Sequence, residues 1–408
     1  MNNTSTGKVL FICGGKWQLP WMRYLKNKGH QIVLVDPNEN PPCEAMADLH
    51  IRYDARDVEG IYQEVQNRGL KIDFVTSEQT DVSAQTVAAL SAMLGTRSNA
   101  PEAVERFANK AVNRAFVAGI DASRMPAFRR VYNLEDAMQF LREFSGDAMV
   151  KPADAQSSRG ISRIVAGCDE TTLNIALQDA FSQTPLDYVL IEQFMVGHEI
   201  TVEGIMTPEG HHTLAISAKK HFRTGIASDL QYPAPLDATL QAALIAFHND
   251  IIAKTGLQFG VTHAEYMINA QGFYLVEMAC RGGGTLIPSD IVPHVSGVPV
   301  YDTLYDLQMQ KPVSVKPLSE PCHALLHFFE FSAGKVQAIH GLEEAALIPG
   351  VHALELEFAL GDTLKPAGDD RGRQGYAILL TETADQLNET LHAVMETIAV
   401  ETATEISV

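Results

Sequence analysis

The first hundred residues alternate short apolar segments with amphipathic ones, and no other feature restricts the possible folds as strongly. The segments KVLFICGG, HQIVLVD and KIDFVTSE are typical of strands, and those between them have the apolar spacing of helices. Continuously apolar strands separated by helices indicate a parallel sheet that is covered on both faces. The sequence therefore predicts an N-terminal parallel α/β domain over residues 1–100.

Glycine and polar residues follow these strands at their carboxyl ends, where ligands of parallel sheets usually bind. Gly14, Gly15 and Lys16 follow the first strand, Asp36 follows the second, and Glu78 follows the third. The sequence GGKW lacks the G-x-G-x-x-G spacing of a dinucleotide site. Plain strand-to-helix turns and contacts to a substrate both remain open for these residues.

A second region begins near residue 101 and carries two lysines in positions suited to an anion. A segment with helical spacing contains Lys110, and a strand ending at Lys151 leads into a loop of small residues that includes Ser158. Backbone N–H groups exposed by such loops can hold phosphate. Farther along, Glu192 and Glu199 flank an apolar bend. A lone lysine at a strand end is usually a solvated charge, but this ordered set predicts a binding site.

The segment GVTHAEYMINAQGFYLVEMACRGGG reads as two strands joined by a turn. We expect Glu265 to lie directly opposite Glu277 on the face that also carries His263, which requires a bulge or an odd number of unpaired turn residues. Two opposed carboxylates repel each other unless a cation lies between them. Magnesium favours oxygen ligands and commonly joins carboxylates to phosphates. Two independent ion pairs, for example with Arg281 and His263, remain the alternative.

Strand alternation also makes a prediction for the rest of the second strand. It places Phe273, Leu275, Glu277 and Arg281 on one face. Three glycines follow, and without side chains their N–H groups can approach a substrate closely. The end of this strand is therefore predicted to form part of a site.

Charge and composition exclude several classes of protein. The net charge of -19 argues against nucleic acid as the main partner, because phosphate would be repelled overall. No apolar run reaches the roughly 20 residues of a membrane helix, and the N-terminus does not resemble a secretion signal. Five scattered cysteines without a C-x-x-C motif are typical of reduced thiols. We expect a cytoplasmic protein that acts on small molecules, without a nucleic-acid or membrane partner.

Two segments with arginines allow two interpretations each. In residues 219–235, Arg223 either pairs with a substrate carboxylate in a segment that covers the site, or belongs to a mobile surface loop. In the C-terminal sequence GDDRGRQG, Arg371 and Arg373 could reach a substrate carboxylate, although solvation is the simpler interpretation.

With these residues in this order, the chain resembles an ATP-grasp enzyme over nearly its whole length. The resemblance implies an N-terminal domain of residues 1–100, an ATP-grasp domain of residues 101–318 with a mobile small lobe at about 125–200, and a C-terminal α+β lid of residues 319–408. The nucleotide would lie between two antiparallel sheets. The implied cofactors are ATP and one or two Mg²⁺ ions, with Mn²⁺ able to substitute.

The resemblance also implies roles for single residues, carried over by position. The nucleotide contacts would come from Lys110, Lys151, Ser158, Glu192, Gln193, Phe194, Met195 and Glu199. Within that set the two lysines would contact the phosphates, residues 192–195 would contact adenine, and Glu199 would contact the ribose. Glu265 and Glu277 would hold magnesium. His263 and Arg281 would be catalytic, with Arg281 stabilising an oxyanion, and Arg223, Gly283 and Gly284 would contact substrate.

Two departures from the common ATP-grasp sequence pattern indicate which branch of the superfamily the chain resembles. D-alanine–D-alanine ligases and many relatives carry an Asn metal ligand where this chain has Ala279, and an Arg where it has His263. The H-x-E pattern of His263 and Glu265, with Arg281 four residues after Glu277, resembles the bacterial L-amino-acid ligases that form dipeptides. Because Ala279 cannot coordinate a metal, water or phosphate would complete the shell, and a second ion stays open.

The resemblance implies an ATP-dependent carboxylate–amine ligase that works through an acyl phosphate, releases ADP, and joins an amino acid or a similar acid to an amino acid. A homodimer is expected. One alternative is a purine-biosynthesis enzyme that carboxylates or formylates a ribonucleotide, but no clear phosphate-binding glycine pattern exists beyond GGKW. The other alternative is a non-catalytic ATP-binding sensor, and the retained acids and bases weigh against it.

Overall fold

The computed structural model describes residues 7–155, 159–223 and 225–403. The N-terminal region contains the predicted parallel sheet. Its elements are β1 (Lys8–Ile12), α1 (Leu19–Asn27), β2 (Gln31–Val35), β3 (Leu49–Ile51), α2 (Val58–Asn67), β4 (Phe74–Thr76) and α3 (Val82–Leu94). All four strands run parallel, in the order β3-β2-β1-β4. Alternate residues of β1 enter two different apolar clusters, because both faces of the sheet are covered.

The helical segment after residue 101 is two helices, where the sequence pattern suggested one. They are α4 (Pro101–Ala108) and α5 (Lys110–Asp121). Asn109 between them is extended, and its side-chain oxygen accepts hydrogen bonds from the first N–H groups of α5, as N-cap asparagines do. The break makes Lys110 the first residue of α5, and its backbone N–H donates to the carbonyl of Ala153 at 2.7 Å.

A small antiparallel lobe follows. It consists of β5 (Phe128–Val131), α6 (Leu134–Glu143), β6 (Ala148–Lys151), β7 (Ser162–Ile164), α7 (Glu170–Ser182) and β8 (Val189–Gln193). The strand order is β5-β8-β6-β7, and the two helices pack on the sheet in a core of their own. The lobe therefore has a separate core, and its strands β6 and β8 deliver Lys151 and Glu192.

The remaining elements build one eight-stranded sheet and a small one. They are β9 (His198–Thr207), β10 (Gly210–Arg223), β11 (Ile226–Tyr232), α8 (Ala238–Lys254), β12 (Gly260–Asn269), β13 (Gly272–Ala279), α9 (Val292–Ser296), α10 (Val300–Gln308), β14 (His323–Phe328), β15 (Gly334–His340), α11 (Leu342–Ala346), β16 (Val351–Leu356), β17 (Thr363–Leu364), β18 (Gly375–Thr381), α12 (Ala384–Thr397) and β19 (Ala399–Ala403). The large sheet has the order β13-β12-β9-β10-β11-β14-β18-β16, and the small one β17-β15-β19.

The C-terminal region continues the large sheet, because β14 pairs with β11 over four residues. A strand of the expected lid therefore shares its backbone hydrogen bonds with the strands that carry the predicted site. Side chains from residues 326–376 can reach the same cavity as those from β9 to β13 for this reason.

Two further properties concern the described chain as a whole. No helix within the described ranges is long and apolar enough to cross a membrane. All five cysteines are free thiols, as their spacing predicted. Burial and the nearby Asp36 carboxylate raise the pKa of the Cys43 thiol to about 12, which keeps this thiol protonated at neutral pH.

Candidate active site

Alternate residues of β9, β10 and β12 form a charged face in the middle of the large sheet. In the cross-strand register, Glu199 lies opposite Lys219 and Thr201 lies opposite Glu265. Residues between them, such as Ile200, point to the other side of the sheet and are buried. The two-residue period of a strand thus separates a charged face from an apolar one.

The two predicted metal carboxylates lie opposite each other, as expected. Glu265 pairs with Glu277, and the register shifts by one residue beside this pair, which leaves Val276 unpaired as a β-bulge. The expectation that Phe273, Leu275 and Glu277 share a face was wrong. Phe273 and Leu275 are buried in the apolar core, because the bulge reverses the alternation between them and Glu277.

Each carboxylate of this pair contacts a lysine. The Lys219 Nζ donates to Glu265 Oε1 at 2.7 Å and to Glu199 Oε1 at 2.6 Å. The Lys110 Nζ lies 3.1 Å from Glu277 Oε1 and donates to the carbonyl of Ala155 at 2.7 Å. Lys110 was predicted and Lys219 was not. The opposed acids are therefore neutralised by one cation from each side.

The charges of Glu265 and Lys219 support each other. Burial alone would raise the pKa of Glu265, but Lys219 and His263 hold it well below its usual range. Burial alone would lower the pKa of Lys219, and the carboxylates of Glu199 and Glu265 raise it instead. Both groups are therefore ionised at neutral pH.

Glu192 is the centre of a second buried charge cluster. The Arg114 Nε donates to Glu192 Oε2 at 3.0 Å, and Lys151 pairs with the other oxygen of the same carboxylate. Arg114 also donates to the carbonyl of Val276, the bulge residue. Burial lowers the pKa of Lys151, while Glu192 opposes this shift. The Glu192 carboxylate is thus engaged by two cations, and the bulge is tied to α5.

The predicted adenine segment follows Glu192 directly. Gln193, Phe194 and Met195 line the same cavity as the charged face. The Gln193 N–H donates to the carbonyl of Ala127 and the Phe194 N–H to that of Asp147, both at 2.8 Å. These bonds fix the backbone at the end of β8, where the small lobe joins the large sheet.

The two predicted catalytic residues are anchored by acids that the sequence did not reveal. Asp81 accepts from Arg281 Nε at 2.8 Å and from Nη2 at 2.7 Å, and so joins the N-terminal region to β13. The His263 Nδ1 lies 2.7 Å from the buried carboxylate of Glu203. Burial alone would lower the pKa of His263, but Glu203 raises it to about 9. Both side chains line the cavity as cations.

The three glycines after Arg281 differ in purpose. A Cβ on Gly282 would lie 2.5 Å from the Pro288 ring, and the Gly282 N–H donates to Glu78 Oε1 at 2.7 Å. A Cβ on Gly283 would lie 2.8 Å from the Ile287 side chain, whereas one on Gly284 would meet nothing within 4 Å. Close packing therefore requires glycine at position 282, whereas at position 283 the Ile287 side chain would have to shift. The expectation that all three present their N–H groups to substrate was wrong for Gly282.

Two other predicted contacts have different outcomes. Residues 219–235 are mostly the end of β10 and β11, so the mobile-loop interpretation was wrong. Arg223 at the end of β10 lines the cavity and makes a bidentate ion pair with Glu330. Ser158 lies outside the described residues, and its predicted phosphate contact stays a prediction.

The arginines of the C-terminal loop are placed differently. Arg371 pairs with Asp369, and 65% of its side chain is exposed. Arg373 donates to Asp370 Oδ1 at 2.7 Å, stacks 3.8 Å above the Phe328 ring, and has an exposed side-chain fraction of only 18%. Solvation, the simpler interpretation for both, was therefore wrong for Arg373.

One cavity of about 1350 Å³ connects these groups. Every described residue of the predicted site lines it except Gly283, and the wall includes parts of the N-terminal region, the small lobe and the C-terminal region. The charged residues that line its central part include Lys110, Lys151, Glu192, Glu199, Lys219, His263, Glu265, Glu277 and Arg281. The geometry is that of a site for a large, anionic ligand enclosed by several parts of the chain.

Sequence reasoning missed several residues of this site. Lys219, Arg114, Asp81 and Glu203 complete the charge pairs described above. Lys219 could have been found, because alternation along β10 places it on the same face as the acids of β9. Asp81 pairs with a residue 200 positions away, so no local pattern could have identified it.

Comparisons with known proteins agree with this geometry. The family model of the ATP-grasp domain matches residues 145–289, and that of the L-amino acid ligase C-terminal domain 2 matches residues 327–403. The D-alanine–D-alanine ligase of Syntrophotalea carbinolica is 32% identical over 143 residues, which are 34% of this chain and 45% of that ligase.

Two solved structures share the fold over nearly the whole chain. The L-amino acid ligase from Bacillus licheniformis has a TM-score of 0.81 at 17% identity, covering 98% of this chain and 100% of that one. The N5-carboxyaminoimidazole synthetase from Staphylococcus aureus, complexed with ADP, has a TM-score of 0.69 at 17% identity. The match covers 95% of this chain and 97% of that one.

The fold and the matched central domain define an ATP-grasp enzyme, a ligase of the ADP-forming carboxylate–amine class. The C-terminal match is more specific. The chain contains an ATP-grasp domain over residues 145–289 and carries the C-terminal domain 2 of the L-amino acid ligases over residues 327–403. The resemblance, the fold class and the enzyme class expected from the sequence are thereby confirmed.

Proposed function

We propose that this enzyme joins the carboxylate of an amino acid, or of a similar acid, to the amino group of an amino acid, with release of ADP and phosphate. The observation that carries the proposal is the opposed pair of Glu265 and Glu277, which lies on the wall of a cavity that is also lined by lysine and arginine side chains. The C-terminal L-amino acid ligase match supports amino acids as substrates.

The residues present fit a magnesium ion. Glu265 and Glu277 offer oxygen donors on one face, and a lysine Nζ already lies within 3.1 Å of each carboxylate, so both positions attract cations. No group of three acidic, histidine or cysteine donors that could hold a metal occurs within the described ranges. Water and phosphate oxygens would therefore complete the shell. A bound ion would screen the charge of the reacting phosphoryl group.

The nucleotide would lie along the junction of the small lobe and the large sheet. In this proposal Lys110 and Lys151 contact the phosphates, and the segment from Gln193 to Met195 contacts adenine; all of these residues line the cavity. Glu199 is held by Lys219 and lies 3.1 Å from His221, which orients its carboxylate for the ribose hydroxyls. In this proposal the γ-phosphoryl group lies beside Glu265.

The chemistry then follows from what amide formation requires. A carboxylate oxygen of the first substrate attacks the γ-phosphorus, the bond to the β–γ bridging oxygen breaks, and ADP leaves. The amine of the second substrate attacks the resulting acyl carbon, the bond between that carbon and the phosphate oxygen breaks, and the amine loses a proton. Arg281 is fixed by Asp81 near the reacting carbon, where its cationic charge stabilises the oxyanion.

A ribonucleotide substrate, as in purine biosynthesis, is disfavoured by the strand ends of the N-terminal sheet. The Gly14 N–H donates to the Asp36 carboxylate at 2.8 Å, so the amide that would bind a phosphate already has an anionic partner. Glu78 adds a buried carboxyl group at the neighbouring strand end. The amino-acid proposal therefore stands ahead of this alternative, and a cytoplasmic homodimer stays a prediction.

An isotope experiment tests the reaction itself. The enzyme is incubated with ATP, Mg²⁺ and pools of amino acids, and ADP release identifies a substrate pair. A carboxylate labelled with oxygen-18 should then deliver one labelled atom to each phosphate released, because its own oxygen bridges carbon and phosphorus in the intermediate. Label in AMP would instead show adenylation, and ADP release that no amino acid stimulates would contradict the proposal.

A further inference from the structure

Arg373 differs from the other cations that line the cavity. Arg281 has three hydrogen bonds, Arg223 has a bidentate ion pair, and Lys219 is shared between two carboxylates. Arg373 donates one hydrogen bond, to Asp370 three residues away in the same loop. Its buried Nε has no hydrogen-bond partner in the described structure.

A guanidinium has five N–H donors, and burial makes unmet donors costly. Burial lowers the pKa of Arg373, and Asp370, Glu357 and Glu265 oppose that shift. Arg373 and Glu265 line the same cavity, so the guanidinium faces the space in which the proposed reaction would take place. The Phe328 ring, 3.8 Å away, holds the guanidinium by stacking.

We propose that Arg373, from the C-terminal region, is a ligand-binding residue. Its guanidinium binds an anionic oxygen group of the reacting molecules, and Asp370 pairs with the guanidinium until the ligand binds. The shared chemistry is a planar or tetrahedral oxyanion matched to a guanidinium fork. It could come from the γ-phosphoryl group of ATP or from the carboxylate of the acceptor amino acid. The proposal rests on the proposed function for the second source but not for the first.

Binding of nucleotides separates the two sources without requiring turnover. Titration calorimetry with Mg²⁺ compares ADP with a non-hydrolysable ATP analogue on the wild type, on Arg373→Lys and on Arg52→Lys. Arg52 is the control, since in the described structure it also donates a single hydrogen bond to a nearby acid, Glu39, but its side chain is exposed and does not line the cavity. If the γ-phosphoryl group is the source, Arg373→Lys weakens the analogue at least about tenfold and leaves ADP unchanged.

Kinetics tests the second source once an amino-acid pair is known. If Arg373 binds the acceptor carboxylate, Arg373→Lys raises the KM of the acceptor at least about tenfold. The same acceptor with its carboxylate converted to an amide should then show no difference between variant and wild type. A wild type that no amino acid stimulates overturns the proposed function, while the nucleotide titration still tests Arg373.

Asp370→Asn separates ligand binding from a structural ion pair. If Asp370 only holds the place of a ligand, removing its charge leaves ligand affinity equal or stronger. If the pair is structural, Asp370→Asn copies the loss caused by Arg373→Lys. That result would overturn the proposal, as would equal behaviour of Arg373→Lys and Arg52→Lys in both assays.

Discussion

The two faces of the large sheet are built from the same strands and serve opposite purposes. Ile200, Val202 and Tyr266 pack into an apolar core against α8, while Glu199, Glu265 and their neighbours line the cavity. The apolar face stabilises the fold through burial. The charged face carries acids and bases that form ion pairs, and each group is kept ionised by the opposite charge of its partner. Strand periodicity therefore lets stability and chemistry be altered independently at adjacent positions.

The largest effect is expected on the charged face. Glu277→Gln keeps the shape of the side chain and removes the charge that faces Lys110 and the proposed metal. We expect turnover to fall about 10²–10³-fold, a loss of the size seen when charge-stabilising groups are removed from enzymes, while the unfolding midpoint stays close to that of the wild type. ADP release and urea-induced unfolding measure the two properties.

Glu209→Gln supplies the control, because Glu209 is an exposed residue at the turn that follows β9. It should leave ADP release within about twofold of the wild type, as surface substitutions usually do. Full activity of Glu277→Gln would remove the metal assignment and the distinction between the two faces.

The apolar face should show the reverse result. Ile200→Ala truncates a side chain that is only 2% exposed and next to Glu199 in sequence. The cavity left behind should lower the free energy of unfolding by about 3 kcal/mol. The turnover of the folded enzyme should change less than twofold. A turnover loss as large as that of Glu277→Gln would show that the faces are not independent.

Much of this arrangement follows from local patterns in the sequence. The apolar strands of the first hundred residues predict the parallel sheet, and the spacing of the β12–β13 hairpin predicts that Glu265 and Glu277 face each other. The bulge itself was only one of two ways to satisfy that pairing. At Val276 the bulge is bound by Arg114 of α5, which donates a hydrogen bond to the Val276 carbonyl. No local sequence pattern predicts this contact, because the two residues are far apart in the chain.

Long-range charge pairs lie beyond such reasoning. Asp81 and Arg281 meet because the N-terminal region packs against the end of β13, and Glu203 meets His263 across neighbouring strands. Alternation identifies which face a residue occupies but not which partner it will find there. Arg373 shows the same limit, because its burial depends on β14 joining the large sheet through β11.

Two buried carboxyl groups extend the comparison of environments. Glu265 is ionised because Lys219 and His263 outweigh the effect of burial. Glu78 is more deeply buried, with 1% of its surface exposed against 21% of the Glu265 side chain, and its contacts include the N–H groups of Gly282 and Gln79. Burial outweighs these contacts and raises the pKa of Glu78 from 4.5 to about 7. A cationic partner in direct contact, and not burial by itself, therefore decides which acid is charged.

The smallest effect is expected at Glu78, and it should depend on pH. The unfolded carboxyl titrates near 4.5 and the folded one near 7, so the folded state binds the proton more tightly. Its contribution to stability is fully present below about pH 4.5 and is lost as the pH rises through about 7.

The variant Glu78→Gln tests this pH dependence. Its side chain cannot ionise, and its side-chain oxygen can still accept hydrogen bonds from the two N–H groups. The variant should therefore exceed the wild type in free energy of unfolding by about 3 kcal/mol at pH 8 and nearly match it at pH 4.5. Urea unfolding across this pH range, with the exposed Glu102→Gln as control, measures the difference. A pH-independent difference would show that folding leaves the pKa of Glu78 unshifted, and that burial without a contacting cation does not keep this acid neutral.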